Sequence, residues 1–224
     1  MSLFREKYRI LHPEKENGED VIMIHGLFVG SFILKYQADF FRKRGFRIIL
    51  YDYPTVRRTI PDHSENLAKF LNSEIPASCF RIHFLTHSMG GLLLRGALEK
   101  LNVDRQSRLG RIVMIAPPNH GSDAAASAVR LLPGLGHLIA PIRDLSSAPD
   151  SFANVCPVPG GLPETGIIGA KHDHQVRPEY THLPRERAHI MLSGTHTGIL
   201  FRRETAEQAY HFIKFGIFKE KSHD

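Results

Sequence analysis

Arg81-Ile82-His83-Phe84-Leu85-Thr86-His87-Ser88-Met89-Gly90-Gly91 passes from a strand pattern to a helix pattern across one serine. A short apolar run with turn signals at its end reads as a strand buried on both faces. The residues that follow, 89–101, carry a helical pattern. The start of a helix offers backbone N–H groups without intrahelical acceptors and a partial positive charge. A serine in a sharp turn there projects its hydroxyl away from the sheet, and the Met89 N–H points to where an oxyanion would form. Gly90 lets the helix approach the strand closely, because a side chain there would crowd the turn. The pattern is Gly-x-Ser-x-Gly with Thr86 in place of the first glycine, a position where a tight turn disfavours bulk. The alternative is a serine that merely caps a helix.

Similar runs recur on both sides. Val21-Ile22-Met23-Ile24 stops at His25-Gly26, and Phe46-Arg47-Ile48-Ile49-Leu50-Tyr51 stops before Pro54. Arg111-Ile112-Val113-Met114-Ile115, Gly166-Ile167-Ile168-Gly169 and His189-Ile190-Met191-Leu192 complete a set of six expected strands. Helical spacing fills the gaps. Residues 32–44 place Phe32, Tyr36, Phe40 and Phe41 near one face, 64–72 turn Leu67, Phe70 and Leu71 inward, and 204–215 close the chain. This alternation predicts an α/β fold: a mostly parallel central sheet with helices on both faces, in a single domain over 1–224. Sites in such sheets form beyond the carboxyl ends of the strands. His25-Gly26, His87-Ser88, the residues 117–122, 171–174 and Thr195-His196 all fall there. Residues 122–163 break the rhythm with an Ala-rich helix candidate at 123–132 and clustered Pro and Gly. We read them as a small lid-like insertion, not a second domain.

Composition narrows the class. The 224 residues are 42% hydrophobic and 23% charged, ordinary values for a globular chain. The net charge of +6 comes from scattered Lys and Arg, with no dense basic run or zinc-finger signature, so no nucleic-acid partner is expected. Its simplest reading is a solvated surface; the sharper one is weak association with an anionic membrane surface. Cys79 and Cys156 make neither a disulfide scaffold nor a Cys-x-x-Cys motif, so both are expected to be free thiols. The start of the chain lacks the apolar core of a signal peptide, and no segment approaches membrane-spanning length. A cytoplasmic protein is the expectation.

The serine needs partners. Gly26 after the first buried run turns the chain so that the Leu27 N–H faces the same pocket as that of Met89; His25 is expected to shape this loop and not to act as a base. Of the fourteen histidines, His196 stands in the loop after the last strand and fits the general base. His189 lies at the start of that strand, at the wrong end of the sheet. Asp173, shortly after the fifth strand, would orient the imidazole. Glu179 is the reserve acid, and Asp144 and Asp150 precede the strand. His172-Asp173-His174 could instead contribute to a zinc site, but no convincing further ligands accompany it; no metal and no other cofactor is expected.

These residues resemble the bacterial lipase-like α/β-hydrolases, over nearly the whole stretch 21–215. Beside the serine motif, Ala116-Pro117-Pro118-Asn119-His120-Gly121-Ser122 resembles the Pro-Asn-(His/Gln)-Gly-Ser loop of many lipases. Asp173-His174-Gln175-Val176 resembles the family's acid loop, and Thr195-His196-Thr197 its histidine loop. Thr86 and the short acid loop are departures. The resemblance implies the α/β-hydrolase fold, a Ser88–Asp173–His196 triad in the family's chain order, and Leu27 and Met89 as oxyanion donors. It implies serine hydrolysis of carboxylic esters through an acyl-enzyme; acyl transfer or thioester cleavage would use the same groups, and a non-catalytic binding protein is the remaining alternative. Phe28 and His87 are expected beside the substrate, a small-molecule ester or lipid. The apolar Val129, Leu131, Leu132, Leu135, Leu138 and Ile139, with Phe28 and Phe32, read as a lid over an acyl pocket.

Overall fold

The computed structural model describes residues 6–75, 80–132, 134–158 and 163–220. The first five residues, Cys79, Pro133 and residues 159–162 of the expected insertion lie outside them. All six expected strands are present, and a seventh joins them. The chain runs β1 (Lys7–Leu11), β2 (Glu19–Ile24), α1 (Lys35–Arg42), β3 (Arg47–Asp52), α2 (Ile60–Ser73), β4 (Arg81–His87), α3 (Met89–Leu98), α4 (Val103–Ser107) and β5 (Leu109–Ile115). It continues through α5 (Asp123–Leu131), the one-turn helices α6 (Leu135–Leu138) and α7 (Phe152–Val155), β6 (Thr165–Ala170), β7 (Ala188–Leu192) and α8 (Arg203–Phe215).

The seven strands form one sheet in the order β1-β3-β2-β4-β5-β6-β7. Every pairing is parallel except β1 with β3. Parallel strands need long crossovers, and the helices supply them. Two apolar clusters result, one on each face of the sheet. Ile22, Ile24, Ile49, Phe84 and Met114 meet α2 and α3. Val21, Met23, Ile48, Leu85 and Val113 meet α1 and α8. Adjacent residues of one strand thus serve opposite layers, which is why these strands read as unbroken apolar runs.

Two local readings need correction. Residues 32–44 are not one helix with Phe32 and Tyr36 inward. A 3-10 turn, Ser31–Leu34, precedes α1 and shifts its phase, so Ile33, Leu34, Ala38 and Phe41 are buried while Phe32 and Tyr36 are exposed. The second helix begins at Ile60, not at 64. Thr59 accepts from the Asp62 N–H and the Asp62 carboxylate accepts from the Thr59 N–H, a reciprocal cap with proline beside it. Among the described residues no helix is long and apolar enough to cross a membrane, and Cys156 is a free, buried thiol.

His63 on α2 packs edge-on to Tyr53 with ring centroids 4.8 Å apart and no exposed side-chain surface. Burial pushes its imidazole down from 6.5 to about 4. In the unfolded chain it binds a proton below 6.5, whereas the folded chain refuses one until about pH 4. Its contribution to stability is therefore complete above 6.5 and lost as the pH falls towards 4. His63→Phe should flatten the fall in urea-unfolding free energy over that interval; an unchanged slope would contradict this assignment.

Candidate active site

Ser88 occupies the turn between β4 and α3 with φ 52° and ψ −128°. A non-glycine residue adopts this region only when its surroundings fix it. Here the Ser88 N–H donates to the Ile115 carbonyl of the neighbouring strand at 2.9 Å. Two glycines clear the space around it. A Cβ on Gly26 would come 2.9 Å from the Ser88 Cβ, and one on Gly90 would come 2.6 and 2.7 Å from the Ile24 and His25 carbonyl oxygens. Thr86 is fully buried, and a Cβ on Gly91 would stand 3.4 Å from its hydroxyl, from Met114 Sδ and from Pro117 Cβ. The second of the paired glycines thus borders the space that Thr86 fills.

The loops after β6 and β7 bring the other two groups. Their backbones are zipped together, Lys171 N–H to the Leu192 carbonyl at 2.9 Å and His172 N–H to the Gly194 carbonyl at 3.0 Å. Across this seam the His196 Nδ1 lies 2.6 Å from Asp173 Oδ2, and its Nε2 lies 2.9 Å from Ser88 Oγ. A carboxylate only accepts, so Nδ1 carries the proton and Nε2 faces the hydroxyl as an acceptor. The second Asp173 oxygen accepts from the Gln175 and Val176 N–H groups at 2.8 and 3.0 Å. Burial would raise this carboxyl, but the hydrogen bonds from His196, Val176 and Gln175 hold it below the usual carboxylate range. With its side chain only 2% exposed, it is an ionised acceptor with every bond directed.

His87 is expected beside the substrate. It lines the cavity, yet its ring is buried and its Nε2–H donates to the His196 carbonyl at 2.9 Å. Burial pushes it down to about 3, so it is neutral at ordinary pH and serves to fix the histidine loop. His25 is fully buried beneath the loop after β2. Leu27 follows it at the cavity wall, and Met89 is the first residue of α3, where helical geometry leaves the N–H without an intrahelical partner.

The remaining candidates stand elsewhere. Glu179 is exposed and faces Arg177. The Asp144 carboxylate accepts from the Ile60 N–H at 2.8 Å and so caps α2. Asp150 is exposed. His189 bonds Thr181 and stacks on His182. His172 and His174 are exposed while Asp173 turns inward to His196.

A cavity of about 360 Å³ opens beside Ser88 Oγ. Leu27, Phe28 and Val29 form one wall; Ala124, Ala125, Ile142 and Leu145 face it; Val176 and Thr197 complete the rim. Ser122, Ala124, Ala125, Ile142 and Leu145 of the expected insertion border this cavity, not the residues its hydropathy singled out. Leu131, Leu132 and Leu138 point to solvent. Val129, Leu135 and Ile139 pack against the core, and Phe32 is not among the lining residues. The cavity is instead walled by small or isolated residues, Ala125 and Leu145, that no periodicity distinguishes. The segment is pinned at several points: the Ser122 N–H donates to the Leu145 carbonyl at 2.8 Å, its hydroxyl to the Gln175 carbonyl at 2.6 Å, and the Ala140 N–H to the Val56 carbonyl at 2.9 Å. Buried Arg95 on α3 donates to the Asn119 and Ala153 carbonyls at 3.1 and 3.3 Å.

A mostly parallel seven-stranded sheet with its antiparallel first strand, and a strained serine at the β4–α3 turn, define an α/β-hydrolase fold. Solved structures agree. Lipase BlEst2 of Bacillus licheniformis, in its mature form, superposes with a TM-score of 0.72 at 14% identity over 93% of this chain and 97% of its own. Lipase B of Aspergillus fumigatus gives 0.74 at 18% over 96% of this chain and 58% of its own. A lipase-esterase related protein from Clostridium acetobutylicum gives 0.65 at 17% over 93% and 99%. The chain belongs to the family described as "Domain of unknown function (DUF7379)", whose model matches residues 5–154. Asp173 and His196 lie beyond the matched segment. No curated protein matches the chain.

The two glycines of the turn differ in how much room they have. Gly90→Ala should cost about 1–3 kcal/mol or more, because its Cβ would meet fixed backbone oxygens, whereas Gly91→Ala should cost clearly less. Equilibrium urea unfolding of both variants checks this; equal costs, or the reverse order, would contradict the packing described.

Proposed function

We propose that the protein is a serine hydrolase that cleaves carboxylic esters with an apolar acyl group. The observation that carries this reading is the continuous hydrogen-bonded relay Asp173–His196–Ser88, with separations of 2.6 and 2.9 Å, at the mouth of an apolar cavity. The Ser88 Oγ attacks the ester carbonyl carbon while its proton passes to His196 Nε2. The carbonyl oxygen, now negative, rests on the Leu27 and Met89 N–H groups. Collapse of the tetrahedral intermediate breaks the ester C–O bond, and His196 returns the proton to the departing alcohol. Water then repeats the sequence on the acyl-enzyme, with His196 again as base. Asp173 remains ionised throughout and holds the imidazole in the tautomer that accepts at Nε2.

The cavity wall supports the choice of acyl group. Among the described residues no Lys, Arg, Asp or Glu lines it, so a charged acyl chain would lose hydration without compensation. Ala125, Ile142 and Leu145 are almost fully buried behind the opening and bound the length of chain it admits. Ser122, Ala124, Ala125, Ile142 and Leu145 then supply one wall of the acyl pocket.

Wild-type protein should become covalently labelled by a fluorophosphonate and should hydrolyse p-nitrophenyl esters. Ser88→Ala should abolish labelling and reduce kcat by ~10⁴-fold or more, and Asp173→Asn by roughly 10³–10⁴-fold. A correctly folded wild type that neither labels nor hydrolyses would favour a binding protein, and hydrolysis that survives Ser88→Ala would remove the assignment. Ala125→Phe should shift chain-length preference towards shorter acyl groups while leaving fluorophosphonate labelling intact. A preference profile that does not move would place the acyl chain elsewhere.

A further inference from the structure

Leu27, proposed above as an oxyanion donor, sits in a strained loop. Phe28, next to it, has φ 62°, a left-handed conformation that a bulky residue adopts only under constraint. Gly26, before it, is pressed against Ser88. The constraint comes from the residues at and after the end of β3. Asp52 Oδ1 accepts from His25 Nε2 at 2.8 Å, and the same carboxylate accepts from the Ser31 N–H and hydroxyl at 3.3 and 2.9 Å. The Tyr53 ring stacks on His25 with centroids 4.5 Å apart and an interplanar angle of 14°, and its hydroxyl donates to the His25 carbonyl at 2.8 Å. Thr55 Oγ1 accepts from the Phe28 N–H at 3.2 Å. Leu27 is thus bracketed: His25 is gripped on one side and Phe28 on the other, both by one short segment.

We propose that the segment 52–55 is a template that sets the Leu27 N–H for the oxyanion, with Asp52 and Thr55 as positioning residues that never touch the substrate. This rests on the serine-hydrolase reading above. The second histidine–carboxylate couple, His25–Asp52, is not a spare base. His25 is fully buried and its Nε2–H is given to the Asp52 carboxylate, so the ring is committed to the loop. The Asp52 carboxyl would be raised by burial, but the His25 and Ser31 bonds hold it below the usual range, so it is a charged acceptor. A charged acceptor binds an N–H about twice as strongly as a neutral one. The amide of asparagine in the same place would grip the loop less firmly.

The test compares Asp52→Asn, Thr55→Val and Thr55→Ser with wild type. Four quantities are read: kcat and KM on a p-nitrophenyl ester, thermal midpoint, and hydrogen exchange of the Phe28 amide. Asp52→Asn and Thr55→Val should each lower kcat by about tenfold, short of the ~10²–10³ lost when an oxyanion donor is removed outright. KM and the thermal midpoint should change little. Thr55→Val should also speed exchange of the Phe28 amide by about tenfold, since its acceptor is gone, and Thr55→Ser should restore both kcat and protection. The proposal is overturned if kcat stays at the wild-type value in both variants, if KM alone rises, or if Thr55→Ser is as impaired as Thr55→Val. The exchange measurement needs no turnover. An inactive wild type whose Phe28 amide still responds to Thr55→Val would sink the hydrolase reading and leave the loop template standing; an amide that does not respond would sink the template itself.

Discussion

A backbone hydrogen bond across the sheet and the bare faces of two glycines hold the serine turn in place. The Ser88 N–H bonds the Ile115 carbonyl across the β4–β5 seam, and the sheet thereby fixes a residue whose φ of 52° would not persist alone. Gly90 lets α3 close onto the end of β2, and Gly26 lets the loop after β2 close onto the serine. The hydroxyl direction, the start of the helix and the nearness of the Leu27 loop follow from this close packing. So does the cost: any side chain added at 26 or 90 must displace backbone.

The other groups reach the serine along the sheet. The loops after β6 and β7 arrive side by side because those strands are adjacent and parallel, and their mutual backbone bonds set the distance from Asp173 to His196. His87 ties the arrangement back to β4 through the His196 carbonyl. Asp173, His196 and Ser88 thus come from three strand ends that share one rim, while the Leu27 loop comes from a fourth. A sheet of fixed register can maintain such contacts within tenths of an ångström; separate flexible loops could not.

Much of this was legible in the sequence because fully buried parallel strands announce themselves as unbroken apolar runs. Ile22, Phe84, Val113 and Ile168 each sit in one. β1 was not legible for the same reason. Lys7-Tyr8-Arg9-Ile10-Leu11 is a mostly exposed antiparallel edge, so nothing in it needed to be apolar on both faces. Ser88, Asp173 and His196 could be picked out because each is a polar residue at the carboxyl end of a strand pattern. The cavity wall was harder to read. Leu131, Leu132 and Leu138 carried the hydropathy of the insertion, yet they face solvent, whereas Ala125 lines the cavity by virtue of being small. The early start of α2 had a visible signal in Thr59-Ile60-Pro61-Asp62, a capping box with proline inside it. The support of the Leu27 loop had almost none: Asp52, Tyr53 and Thr55 look like an ordinary strand exit, and only tertiary contact gives them meaning.

The central claim is that chemistry occurs at the Ser88 hydroxyl, and a trapped intermediate addresses it without appeal to mutants. The protein would be mixed rapidly with a p-nitrophenyl ester, quenched in acid during the first turnover, digested, and weighed by mass spectrometry. The account predicts a pre-steady-state burst of p-nitrophenol and an acyl mass on the peptide that contains Ser88. Steady ester cleavage with the acyl group on a different residue, or with no acylated peptide at any quench time, would contradict it.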